Sequence, residues 1–144
     1  MHKDFYASGF IYHPPSEKIL LQQTIAIPPV SSPWLLFEEN YSEKDDPAVL
    51  FKKMISDLLN IELAEVYPVY SYFNENKKRN QSIIYSSVTN MVDFTPKNGM
   101  NFAWFTFKEV LKLQVTEQTK HDIVVGQRVI EAAIRKSLGL HTFQ

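Results

Sequence analysis

An α/β or α+β sandwich, with a mixed β-sheet held between helices, is the architecture this sequence predicts. Two segments carry apolar residues at spacings of three and four, the mark of helices with one buried face. The segments around them are rich in aromatic and β-branched residues and are broken by Pro, Asn and Gly, as strands and turns are. The two helical segments are well separated in the chain, so a helix is expected on each face of the sheet. With 144 residues, 44% apolar and 22% charged, the chain has the composition of one globular domain, residues 1–144.

Residues 4–12 read as a first strand. Pro14, Pro15 and Ser16 turn the chain, because proline fixes φ and lacks a backbone donor. Residues 18–24, KILLQQT, return as the second strand of the hairpin. Three prolines and two serines make 27–33 a loop, and the apolar residues 34–37 a short buried strand. The first helix starts at Asp46-Pro47, an N-cap acceptor followed by a residue with no N–H to leave unpaired. Phe51, Met54, Ile55, Leu58 and Leu59 form its inner stripe, and Asn60 stops it by accepting a left-handed conformation. Residues 66–73 and 82–88 pair as a hairpin across the polar tip NENKKRNQ, where Lys77, Lys78 and Arg79 read as a solvated charge run.

A loop containing Pro96 and Gly99 follows. Residues 102–107, FAWFTF, form an aromatic strand or turn that leads into 108–112. Thr116 caps the second long helix, which runs to about Leu138 and ends at Gly139. Ile123, Ile130 and Ile134 are its expected inner face, with Val129 and Ala133 beside them. Gly126 within it costs about 1 kcal/mol relative to alanine, which the close approach of a neighbouring element would explain.

Bulk chemistry excludes several functions. A net charge of −1 gives no electrostatic basis for general nucleic-acid binding. The absence of cysteine rules out disulfides, thiolate metal sites and thiol catalysis. No secretory signal and no apolar run near the ~20 residues of a membrane span are visible, so a cytoplasmic protein without a membrane partner is expected. His2, His13, His121 and His141 have no ligand-like spacing.

The most informative stretch is 34–61, WLLFEENYSEKDDPAVLFKKMISDLLNI. It holds the spacing G-x5-E-x7-R-E-U-x-E-E-x-G-U, with U a bulky aliphatic residue, at Glu39, Asp45, Lys53, Met54, Ile55, Asp57, Leu58, Asn60 and Ile61. That spacing, the phrase WFTFKEVLKL, the KILLQQ strand and the order of elements resemble the Nudix (MutT-like) hydrolase family over nearly the whole chain, with a degenerate Nudix box. The resemblance implies a Nudix-like α/β/α sandwich binding a diphosphate beside the box helix. Active members cleave nucleoside diphosphate derivatives with Mg2+ or Mn2+. Such ions prefer oxygen ligands, and a further carboxylate orients the attacking water.

Positions 54, 57 and 58 share one helix face, where the box places three glutamates. Here they are Met54, Asp57 and Leu58. The box remnants are Asp57, Asp45 and Lys53, and Asp57 and Asp45 are the candidate metal ligands. Bland roles compete with each: Asp45 and Asp46 serve the helix N-terminus, and Asp57 pairs with Lys53 on the surface. Glu39 in place of glycine sets a carboxylate where phosphates would pass. Glu38, Glu39, Glu43, Asp46 and Glu62 are nearby acids able to compensate in part, and Asp93 is a loop-borne base or a turn residue. Trp34, Trp104, Tyr67, Tyr70, Tyr72 and Phe102 either stack a nucleobase or fill the core.

Two readings follow. In the first, a Nudix-fold protein with impaired or lost pyrophosphohydrolase activity binds a nucleotide-like phosphorylated ligand, a protein partner or a second copy of itself, and needs no cofactor. In the second, a divergent active hydrolase cleaves a nucleoside diphosphate derivative with Mg2+ or Mn2+.

Overall fold

A computed structural model describes residues 5–26 and 31–139. The strands are β1 (Phe5–His13), β2 (Lys18–Thr24), β3 (Trp34–Leu35), β4 (Phe37–Tyr41), β5 (Val66–Asn74), β6 (Arg79–Ser87) and β7 (Met100–Thr106). The helices are α1 (Pro47–Leu59), α2 (Phe107–Val110) and α3 (Glu117–Ser137). The sheet runs β3-β2-β1-β6-β5, with β4 also paired to β1 and β7 also paired to β2. β1 and β6 are parallel and the other pairs antiparallel, so the sheet is mixed as expected.

Strand alternation sends successive β1 side chains to opposite faces. Ala7 and Ile11 join Phe37, Phe51, Ile55 and Leu59 under α1. Phe10 and Tyr12 join Ile19, Leu21, Ile123 and Ile130 under α3. A nine-residue strand with polar and apolar residues mixed is therefore buried from Ala7 to His13. Asp46 Oδ1 accepts from Ala48 N at 2.9 Å and Pro47 opens α1. Asn60 closes it at φ 57°, ψ 42°, and its N–H donates to Ser56 O. Both ends follow the sequence reading.

Several boundaries differ from expectation. The apolar run 34–37 is split between two strands, because the chain leaves β2 at Leu36 and joins β1. Gln22 Nε2 donates to the Leu36 carbonyl at that break, at 3.2 Å. β4 went unseen because E-E-N separates its two buried residues, Phe37 and Tyr41. Part of the expected loop 27–33 lies outside the described residues, at 27–30. β6 starts at Arg79, so only Lys77 and Lys78 of the basic run sit at an exposed tip. Asn98 and Gly99, at φ 52° and 76°, make a two-residue hairpin turn between Lys97 and Met100.

Ile134 is corrected too, being 43% exposed, and Ala133 is also exposed. At a rise of 1.5 Å per residue the 21 residues of α3 reach about 31 Å, and every described residue from Glu131 onward is exposed, beyond the cover of the sheet. The glycine of this helix has the reason anticipated. A Cβ at Gly126 would lie 2.8 and 2.9 Å from the Phe10 ring, which is buried, stacked on Tyr85 and edge-on to Phe107. Gly126→Ala is expected to lose about 1–3 kcal/mol through overpacking despite the better helix former, read as a lower urea midpoint.

Candidate functional site

A cleft of about 400 Å3 opens where β1, β4 and β6 meet the first turn of α3. Ser8, Glu38, Tyr72, Arg79, Gln81 and Asp122 line it. Four of them form a closed hydrogen-bonded ring across three strands. Gln81 Nε2 donates to Ser8 Oγ at 2.6 Å, and Ser8 Oγ donates to Glu38 Oε1 at 2.9 Å. Arg79 Nη2 donates to the same Glu38 oxygen at 2.6 Å, and its Nε to Gln81 Oε1 at 2.7 Å. The guanidinium also lies 3.7 Å from the centre of the Tyr6 ring. Register explains the ring: Ser8 is paired to Glu38, and Tyr6 to Gln81 on the other side of β1. A charged group is thus fixed at the cleft wall with its rotamer entropy already lost.

The cleft floor is a buried carboxylate. Asp122 accepts from Tyr70 Oη at 2.6 Å, Gln118 Nε2 at 2.9 Å and Tyr72 Oη at 3.1 Å. Burial pushes its carboxyl above the usual range, although the three donors and the nearby His121 pull the other way. Tyr70 and Tyr72 are both held far above the usual tyrosine value, by burial first and then by Asp122. Asp122 sits one position before Ile123 on α3, so the stripe that marks the helix's buried face also buries an acid.

The box helix lies on the opposite face. Met54 and Leu58 are half-buried against the α1-side core. Asp57 and Lys53 are exposed and paired, Nζ to Oδ2, at 3.1 Å. Lys97, carried on the Asn98-Gly99 turn, approaches the Asp57 carbonyl oxygen at 3.4 Å. Asp45 Oδ2 accepts from both the N–H and the hydroxyl of Ser42, each at 3.0 Å.

No protein-family model matches this chain, and no curated protein does so either. Solved structures do. The ORF135 protein of Escherichia coli superposes with a TM-score of 0.66 at 16% identity, covering 89% of this chain and 91% of that one. A MutT, from work on Aliivibrio salmonicida and Vibrio cholerae, gives 0.61 at 14% identity over 88% and 97%. The NUDIX domain of Shewanella oneidensis NrtR, complexed with ADP ribose, gives 0.65 at 12% identity over 90% of each. The chain has the Nudix fold.

A Nudix fold raises the question of Mg2+ or Mn2+, which needs several oxygen ligands from carboxylates, phosphates and water. Among the described residues no group of three or more His, Cys, Asp or Glu side chains converges. Of the candidate ligands, one Asp57 oxygen faces the Lys53 ammonium, and Asp45 is bonded to Ser42. These residues do not fit a divalent-cation site of the kind the family uses.

The other candidates are dispersed in this Nudix-fold protein. Glu38 is in the cleft, whereas Glu39, on the α1 side of β4, accepts from its neighbour Asn40 N. Glu43, Asp46, Glu62 and Asp93 are exposed. Of the six aromatic candidates only Tyr72 lines the cleft. Phe102 and Trp104 pack under α1, Trp34 and Tyr70 under α3, and Tyr67 is 40% exposed against Tyr85. His13 is buried, bonded through Nδ1 to Ser16 Oγ and through Nε2 to the Thr89 carbonyl. His121 is exposed, and His2 and His141 lie outside the described residues. Ser8, Arg79, Gln81 and Asp122 were missed as site residues, being polar residues inside strands or on a helix's apolar stripe. Among the described residues, no helix is long and apolar enough to cross a membrane.

Proposed function

We propose that this Nudix-fold protein binds a nucleotide-like phosphorylated small molecule in the cleft and does not cleave it at the box helix. One observation carries the reading. The cleft presents a fixed guanidinium and a buried carboxylate, while two of the three box-helix positions that would hold metal ligands carry the partly buried Met54 and Leu58. Arg79 supplies a cation for a phosphate or ribose oxygen. Asp122, whose ionisation burial opposes, gains from a ligand N–H that would complete the shell of its carboxylate, as a base amide or amine does. The binding of ADP ribose by the similar NrtR domain supports this ligand class.

The test is calorimetric titration of ADP ribose, once with Mg2+ and once with EDTA, followed by phosphorus NMR of the mixture. Binding in both buffers with no new phosphorus signal is the expected result, and Asp57→Ala should leave the affinity unchanged. Metal-dependent cleavage that disappears in Asp57→Ala would replace this reading with that of a working hydrolase.

A further inference from the structure

A second cavity, of about 320 Å3, opens between the segment that follows α1, the end of β6 and the loop leading to β7. It shares no lining residue with the cleft. Its volume is at the lower end of small-molecule sites, which run from about 300 to 1,000 Å3. Ile61, Val88, Phe94 and Trp104 pack on the α1-side core and leave part of their apolar surface to the cavity. Two ring side chains fix the loop. Trp104 Nε1 donates to the Val92 carbonyl at 2.9 Å, and His13 Nε2 to the Thr89 carbonyl at 3.2 Å. The rings of His13 and Trp104 also meet edge to face, with centroids 6.2 Å apart. The walls are set before a ligand arrives, so little ordering cost falls on binding.

The electrostatics of this cavity have one sign. Glu62 is the single charged residue among those lining it, and no Lys, Arg or His joins it. Among the described residues Glu62 forms no ion pair. α1 ends at Leu59, just before this segment, and the negative pole of a helix favours a cation near its last turn. The faces of Trp104 and Phe94 carry the negative side of the aromatic quadrupole. Thr89 and Asn90 add a hydroxyl and an amide oxygen, both able to accept from an ammonium. A phosphate would meet no cation here, whereas a positively charged group meets an acid, two π-systems and neutral acceptors.

We propose that this cavity is a binding site for a small organic cation, a primary ammonium carried on a compact apolar body. The ammonium takes Glu62 as its counter-ion, and the body covers Trp104, Phe94 and Val92. Glu62 is exposed and water weakens a bare ion pair, so selectivity comes from the acid and the aromatic walls acting together. The site is independent of the phosphate-binding reading of the cleft, and either can fail while the other stands.

Phenethylamine is the probe, followed through the indole N–H signal of Trp104 in NMR, with Trp34→Phe to assign it. A saturable shift is expected there and at the amides of Glu62 and Asn90. Phenethyl alcohol has the same body without the charge and should bind roughly tenfold more weakly, the size of one charge-assisted contact. Phenylacetate, with the charge reversed, should leave the signal in place. In Glu62→Gln, phenethylamine should bind no better than phenethyl alcohol, whose own affinity stays unchanged. Equal binding of amine and alcohol to the wild type would overturn the proposal, and so would a Glu62→Gln variant that binds the amine as the wild type does. Absence of any saturable shift with phenethylamine would remove the site.

Discussion

Gly9→Ala is expected to cost at least about 3 kcal/mol, the upper end of overpacking penalties and a large fraction of the about 5–15 kcal/mol that keeps a domain folded. Gly9 lies at the centre of β1, paired on one side with Phe37 of β4 and on the other with Ile84 of β6. A Cβ there would overlap the backbone carbonyl oxygen of Ile84 and stand 3.1 Å from its carbonyl carbon and its Cγ1. A side chain can rotate aside, but a carbonyl within a parallel ladder cannot move without giving up its hydrogen bonds. The strain would fall where β1 holds β4, β6 and the ring residues Ser8, Glu38 and Gln81 in register. Urea denaturation followed by far-UV circular dichroism checks it: the midpoint should drop sharply with little change in slope. A variant as stable as wild type would mean that β1 and β6 are further apart than described.

The contrast with Gly126 shows what sequence can and cannot disclose. Both glycines occupy positions where local propensity disfavours them, which signals an outside reason in either case. Only the fold says which reason: an aromatic ring for Gly126, a neighbouring strand's backbone for Gly9. Helix ends were legible because capping is local, and Asp46-Pro47 and Asn60 behave as their chemistry dictates. The architecture was legible from periodicity and from the order of elements. β4 was not, since Glu38 faces the cleft and Glu39 interrupts the apolar α1-side stripe of Phe37 and Tyr41. The Asn98-Gly99 turn was legible and overlooked, because the dipeptide itself encodes a two-residue hairpin. The cleft residues were invisible for a different reason. Ser8, Glu38, Arg79 and Gln81 lie as much as 73 positions apart, and the pairing of β1 with both β4 and β6 joins them.

Removing the centre of that ring has the second large effect. Arg79→Met should lower stability by about 2 kcal/mol and weaken ADP ribose binding at least tenfold. The side chain is 13% exposed and holds three groups together: Gln81 Oε1, Glu38 Oε1 and the Tyr6 ring. Methionine keeps much of the volume and the aliphatic stem, so the loss reports the guanidinium rather than a void. Gln81 is buried, and stripping its acceptor of a donor costs about 1–3 kcal/mol. Glu38, 36% exposed, recovers part of its loss from water, so its share is the smaller one. A second substitution separates the two contributions. Adding Glu38→Gln to Arg79→Met removes the uncompensated charge and should restore some stability but none of the affinity, since the guanidinium does not return to the cleft wall. Equal stability of the single and double variants would show that Glu38 is fully solvated without Arg79, and the ring would then matter for holding the arginine rather than for neutralising the acid. Undiminished ADP ribose affinity in Arg79→Met would remove this guanidinium from recognition and leave the task to the other charged groups of the cleft, Asp122, Glu38 and Lys77.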